Sequence, residues 1–580
     1  MTDGSAKLSR ASVALLLLAV TLVFARALGG AFVYDDLTLL AGNPGLHDPW
    51  DLVALWTTPL WGEQLGHWRP LTAQLMALGW WLGDGQPWAI HAMALLLHLL
   101  AALAVARLWR LGGGPPAMLP GTLAALLFAL HPAQAESVAW CAALNDVLAG
   151  ACALHGLCAW LRFRAEGRTR DLLAAITLAA LALAAKEGGA VTPLLYVASD
   201  LLRRGGGTHG SARGARFAAL WPLLLLPLWW LLRTLVFGDA AGGLDRTTFA
   251  HPGSPFAIGA ATGSGLVMHL LWPFGLVMFA PVAQVGAAAF ALGGLALAGL
   301  AALLWRGGAR VRTGALLVLA GVVPPMLTTA SLGPYPIADR YLYLPCAGLG
   351  LLLAAPIASA RGPAFAARWT WVLCALVAAF ATLSFARLDT WSDQESFVDR
   401  ALERYPSDPR LHLMRGQLLL ERAAGDAREL PAATAALQQA RLLLGGDLRR
   451  QDHLAQVRAD VAIGLGWCAL LQAATRQRPD WQPVEREFLD LTERWPDRSD
   501  PWVALGILRA QTGRVPAAEQ AFRRAIELDP GNGRAHLNMA QLLLQNGDVA
   551  GARRHLEEAL RISPEDAVAR QLLERLGGGH

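Results

Sequence analysis

The stretch FVYDDLTLLAGNP, residues 32–44, places two adjacent carboxylates, Asp35 and Asp36, just after the apolar run 11–30. Further along come HWRPLT with His67 and Arg69, HPAQAE with His131 and Glu136, and Asn145-Asp146. KEGG carries Lys186 and Glu187, and IADRYLYLP carries Asp339, Arg340 and Tyr341. Carboxylates suit proton transfer and cations suit an anion. Together they fit transfer of a group from a phosphorylated donor, with a base activating an acceptor hydroxyl while cations hold the leaving phosphate.

Each motif also has a plainer reading. An Asp pair at a helix end serves as an N-cap or a dipole partner. Pro132 can break one helix and Glu136 open the next. Lys186-Glu187 and Asp339-Arg340 can be mutual ion pairs, and Tyr335, Tyr341 and Tyr343 an interfacial aromatic belt. What raises the set above these readings is that all its members fall on one side of a membrane.

The elements that must position them are apolar helices. The chain has 580 residues and is 54% hydrophobic, with a mean hydropathy of +0.38. These values exclude an ordinary soluble enzyme and point to a polytopic membrane protein. Apolar character is concentrated in 11–386, whereas 387–580 reads as a charged, soluble helical sequence. Spans are expected near 11–30, 88–109, 118–131, 138–163, 171–186, 189–202, 216–237, 287–305, 313–330, 341–359 and 369–386. The run 11–30 is too long for the apolar core of a cleaved leader and is taken as the first span. Region 256–284, broken by Gly, Pro and Trp, is expected to be a hairpin, a re-entrant element or two short helices.

Arginines and lysines occupy alternate loops: Lys7/Arg10, Arg107/Arg110, Arg162–Arg170, Arg203–Arg216, Arg306–Arg312 and Arg361/Arg368. By the positive-inside rule those loops are cytoplasmic, and the motif-bearing loops lie on the far side. The net charge of +5 is thereby explained by orientation, and no nucleic-acid partner is expected. Cysteines 141, 152, 158, 346, 374 and 468 show no metal-ligand spacing, and neither a metal nor any other obligatory cofactor is expected. Loop 31–87 holds Trp50, Trp56, Trp61, Trp68, Trp80 and Trp81. It is expected to form amphipathic helices in the interface, where membrane lipid and a polar substrate meet.

Residues 502–530 and 536–564 align at a constant offset of 34: Gly513/Gly547, Ala518/Ala552, Phe522/Leu556, Ala525/Ala559 and Pro530/Pro564. This is the tetratricopeptide helix–turn–helix signature, clearest in 499–532 and 533–566, with degenerate units near 396–440 and 459–497. Such a solenoid can recruit a protein or act as a spacer.

FVYDD, HWRPLT, FALHPAQAESVAWCAALNDVLAG, KEGGAVTP, PIADRYLYLP and WSD before the repeats resemble the transmembrane-and-tetratricopeptide-repeat O-mannosyltransferases and their bacterial relatives. The resemblance covers nearly the whole chain. One departure lies at Asn145-Asp146, where the family pattern more often reads Arg-Ala-Asp.

The resemblance implies an all-α chain. A polytopic GT-C-type transferase domain of about eleven or more spans occupies 1–386, and a tetratricopeptide solenoid occupies 387–580. It implies a polyprenyl- or dolichyl-phosphate-linked monosaccharide donor and inversion at the sugar carbon. Asp35 or Asp36 would be the base, the second preferred as nearer the loop. Arg340, Lys186 and Arg69 would hold the lipid phosphate. His131, Glu136, Asp146, Glu187, Asp339 and Tyr341 would line the pocket. The acceptor would be a Ser or Thr of a protein brought by the repeats.

The expected location is a bacterial inner membrane, with a cytoplasmic N-terminus and periplasmic repeats. Three rival readings stand beside this one, and the first, a transporter, would carry charges near mid-membrane in both halves. An oligosaccharide ligase would carry its catalytic loop late in the membrane domain, and a non-catalytic scaffold would lack the one-sided charges.

Overall fold

The computed structural model describes residues 9–60, 67–112, 118–202, 220–238, 254–274, 276, 285–328, 336–359, 362–423, 425–445, 454–563 and 566–577. Trp61, Lys7, Arg361, Tyr335, Pro564, the arginines at 203, 204, 213 and 216, and most of 275–284 lie outside the described residues. Every regular element among the described residues is helical. The chain divides into two compact units, Met1–Phe397 and Val398–His580.

Among the described residues, eight helices are long and apolar enough to cross a membrane, seven of them in the first unit. The eighth, Ala455–Ala474, belongs to the repeats, where Ala459, Ile463 and Leu470 pack with Phe488, Leu491 and Trp495. Its apolarity is that of a solenoid core. Each expected span coincides with a helix, but Met118–Ala129, Thr169–Ala185, Val191–Leu201 and Leu225–Phe237 are shorter than 18 residues. Met118–Ala129 is enclosed by protein, with every side chain from Pro120 to Ala129 buried. Pro255–Leu271 forms a single helix at the start of the ambiguous region.

The expected span 138–163 corresponds to the candidate span Cys141–Glu166. Helix Gln134–Ala139 ends at Trp140, whose backbone is extended, and a 3₁₀ turn Cys141–Ala143 leads into Leu144–Glu166. The break presents backbone N–H groups to the first loop. Small residues let the helices approach. A Cβ on Gly150 would sit 2.2 Å from the Tyr343 ring, and one on Gly348 would sit 2.4 Å from the Gly314 carbonyl.

The bundle has two chemically distinct ends. At one, Arg310 donates to the Trp109 carbonyl at 3.0 Å and lies over its ring, and Arg312 donates to the Leu202 carbonyl at 2.7 Å. Arg162 pairs with Asp171 and Arg164 with Asp200, each at 3.1 Å. The motif-bearing segments gather at the other end. In the first loop, helices Leu52–Thr57 and Pro70–Leu82 leave Trp50, Trp56, Trp81, Leu52 and Val53 exposed.

The second unit contains the helix pairs Pro409–Ala423/Leu430–Leu443, Ala455–Ala474/Gln482–Arg494, Asp500–Gln511/Val515–Leu528 and Gly533–Gln545/Val549–Ile562. Gly513 and Gly547 adopt φ of +75° and +80° at the turns inside the last two pairs, where a left-handed residue ends the first helix. Gly506 makes room for the Phe522 ring.

Candidate active site

The first loop enters the site through a tight turn. Asp36 is fully buried, and its two oxygens accept the Val33 N–H at 3.1 Å and the Ala142 N–H at 2.7 Å. Its carboxylate ties the turn to the broken segment Cys141–Ala143. Burial pushes its pKa up to about 8, against the opposing pull of the Val33 and Ala142 N–H groups. Asp35 is half-buried, and among the described residues its carboxylate has no hydrogen-bond partner. Burial pushes its pKa up to about 6, and the Arg340 charge pulls it down. Asp36 is thus engaged on both oxygens, whereas Asp35 makes no hydrogen bond among the described residues.

The three expected cations share this end of the bundle. Arg340 donates to Glu136 Oε1 at 2.7 Å, while Glu136 Oε2 accepts the Asp339 N–H at 3.2 Å. Lys186 binds Asp146 Oδ1, and Arg69 donates to Glu187 Oε2 at 2.8 Å. The Tyr341 ring lies beneath two of them, 5.0 Å from the Arg340 guanidinium and 5.4 Å from the Lys186 ammonium. Each cation is therefore oriented by a carboxylate. An ammonium has three N–H groups, and the Lys186 contact with Asp146 engages one.

The adjacent residues do not pair with one another. Glu187 turns from Lys186 to Arg69, His67 and Arg233. Asp339 turns from Arg340 to His269 at 3.0 Å and Arg387 at 2.7 Å. Neighbours in a turn diverge, so adjacent opposite charges reach different helices. Tyr341 packs against cations, which favours a site role over a membrane belt for that tyrosine.

His131 is fully buried. Its Nε2 reaches the Leu270 carbonyl at 3.1 Å, its Nδ1 accepts the Ala133 N–H at 3.2 Å, and its ring meets Phe380 edge-on. With both nitrogens occupied and no exposure, it shapes the turn. Asn145 supplies no charge: its side-chain amide donates to the Ala142 carbonyl at 2.6 Å.

Sequence reasoning missed Arg233, Arg387, His269 and Gln394. Arg233 is fully buried in helix Leu225–Phe237, and its NH1 lies 3.4 Å from Glu187. A lone arginine in WWLLRTLVF was a readable signal, because a charge inside an apolar helix requires a partner. Arg387 and His269 stand at helix ends and carried no such signal.

Residues 493–576 match the tetratricopeptide-repeat family model. Human protein O-mannosyl-transferase TMTC4 is 33% identical over a stretch covering 31% of this chain and 28% of that protein. Mouse protein O-mannosyl-transferase TMTC3 is 21% identical, covering 98% of this chain and 65% of that protein, so the match spans both units. Both of these curated relatives are protein O-mannosyl-transferases. The fruit-fly relative, Tmtc1, is 30% identical over 31% of this chain and 21% of its own length. The chain thus covers less than two thirds of the length of the relatives it matches. Among solved structures, a Thermus thermophilus tetratricopeptide protein overlays on 35% of this chain and 94% of its own, at 16% identity and a TM-score of 0.25.

Proposed function

We propose that the chain is a membrane glycosyltransferase. It moves one hexose, mannose by analogy with its relatives, from a polyprenyl-phosphate donor to a protein hydroxyl. The observation that carries this reading is Asp35, a carboxylate with no hydrogen-bond partner among the described residues, within reach of the Arg340 charge at an end of the bundle that also holds Lys186 and Arg69.

In the reaction Asp35 takes the acceptor hydroxyl's proton while the oxygen attacks the sugar's anomeric carbon. The carbon–oxygen bond to phosphate breaks on the opposite face, inverting that carbon. The donor's phosphodiester monoanion leaves as a phosphate monoester that can carry a second negative charge. Cations already aimed at that position stabilise the added charge more than the ground state, which is the condition for catalysis. Arg340, Lys186 and Arg69 take this role, and Tyr341 supports two of them. Glu136, Asp146 and Glu187 hold the cations in place, and Asp36 fixes the turn. The leaving group needs no metal.

The site lies on the non-cytoplasmic face, supported by the arginines gathered at the opposite end of the bundle. In a bacterium that face is the periplasmic side of the inner membrane. The exposed tryptophans of the first loop suit an interface where a lipid donor approaches. The repeats recruit the acceptor protein, as solenoids of this kind do. The test is transfer of radiolabel from polyprenyl-phosphate-[3H]mannose to protein by the purified full chain. Transfer that is lost in Asp35→Asn supports the reading, and transfer retained there overturns it.

A further inference from the structure

We infer that Gln394 is a positioning residue for Asp35, acting through the backbone of Tyr34; this rests on Asp35 being the base. Tyr34, directly before the aspartate pair, has φ +56°. That left-handed conformation crowds the Cβ of a bulky L-residue and persists only where its surroundings impose it.

The surroundings here are specific. The Tyr34 N–H donates to Gln394 Oε1 at 2.7 Å, and the Tyr34 ring stacks on Phe397 with centroids 5.2 Å apart at 19°. The Ala31 N–H donates to the Ser392 carbonyl at 2.8 Å, clipping the same strand of chain to the same segment. Gln394 is itself fixed at the head of helix Gln394–Arg404. Asp393 Oδ1 accepts the Ser396 N–H at 2.8 Å, and its Oδ2 accepts the Ser392 and Ser396 hydroxyls at 2.8 and 2.7 Å. Trp391 beside it is buried and stacks on Trp140, whose other neighbours include Arg340.

The consequence is geometric. Asp36 is anchored on both oxygens, so the direction of Asp35 depends on the residue before it. With Tyr34 left-handed, Asp35 is held where the Arg340 charge reaches it. Were φ of Tyr34 to relax to a negative value, the peptide before Asp35 would rotate and carry the carboxylate out of register with the cations. The carboxamide suits this task. It accepts the N–H as a carboxylate would, without placing a further negative charge behind the base. The WSDQESF segment is thus part of the site, although it lies more than 350 positions from the aspartates (|i−j| 360 for the bonded pair).

The test uses the purified full chain, undecaprenyl-phosphate-[3H]mannose as donor probe, and protein from a strain lacking this chain as acceptor. Gln394→Leu is expected to lower kcat on the order of 100-fold, the effect of a misplaced reacting group, with the donor KM within about twofold. Adding Tyr34→Asn should restore the rate to within about fivefold of wild type, because asparagine adopts the left-handed conformation readily. Tyr34→Val, β-branched and excluded from it, should match Gln394→Leu.

A wild-type kcat in Gln394→Leu, or a loss that Tyr34→Asn does not repair, overturns the positioning role. Asp35→Asn is measured alongside. If it retains activity, the base assignment has failed. If it is inactive while Gln394→Leu is fully active, only the positioning role has failed.

Discussion

Glu136 Oε1 accepts from the Arg340 guanidinium at 2.7 Å, joining HPAQAE to IADRYLYLP across 204 positions of sequence. Neither residue is usable alone. A buried carboxylate needs the cation, and the cation needs a fixed direction if it is to serve the phosphate. The same arrangement recurs in Lys186 with Asp146 and Arg69 with Glu187. The site is a set of oriented ion pairs together with Asp35, a carboxylate that has no hydrogen-bond partner among the described residues.

The two aspartates should respond differently to the same substitution. Asp35→Asn should keep the thermal midpoint and lose on the order of 10²–10⁴-fold in transfer rate, the usual contribution of a general base. Asp36→Asn leaves one of the Val33 and Ala142 N–H groups facing an amide instead of an acceptor. It should cost about 1–3 kcal/mol of stability, seen as a lowered thermal midpoint in detergent.

The pH profile carries a sign. Asp35 acts deprotonated, and burial places its pKa at about 6, so kcat/KM should rise with pH through that value and level off above it. Arg340 lowers this pKa. Arg340→Gln should therefore move the rising limb to higher pH as well as weaken donor binding. A limb that stays in place or moves to lower pH would contradict the assignment.

Arg233 and Glu187 should behave as a coupled pair. Arg233→Met removes a fully buried cation and leaves Glu187 to Arg69 and His67, with a loss of about 3–5 kcal/mol expected for a broken buried pair. The double variant with Glu187→Gln should recover part of that loss in a double-mutant cycle of thermal midpoints. Additive losses would mean that the 3.4 Å contact carries no energy.

In the repeats, Gly506→Leu should force the Phe522 ring away, since even a Cβ there would lie 2.4 Å from it. Overpacking of this kind costs about 1–3 kcal/mol. Limited proteolysis should then cut faster within 500–545 than in wild type.

Much of this was legible because the polar motifs interrupt apolar runs. YDD, HPAQAE, KEGG and DRY mark the ends of helices on one side, and arginines mark the other ends. The 34-residue offset gave the repeats directly, through glycines that must turn and alanines that must pack. Pairing was not legible. Glu187 and Asp339 each stand beside a cation in sequence and bind others in space, because a turn sends adjacent side chains to different helices. The engagement of Asp36 was hidden for a related reason: the Ala142 N–H that it accepts is freed where the segment breaks at Trp140. Nothing in WSDQESF marked Gln394, since a glutamine at a helix start is ordinary until the conformation of Tyr34 is seen.

The most direct test compares the periplasmic and membrane glycoproteomes of wild type, a deletion strain, and a strain expressing Asp35→Asn at normal level. The account predicts that the same hexose-bearing peptides disappear from both mutants while the Asp35→Asn protein remains folded in the membrane. Those peptides retained in Asp35→Asn but absent from the deletion would contradict it, leaving the chain as a scaffold for another enzyme's transfer.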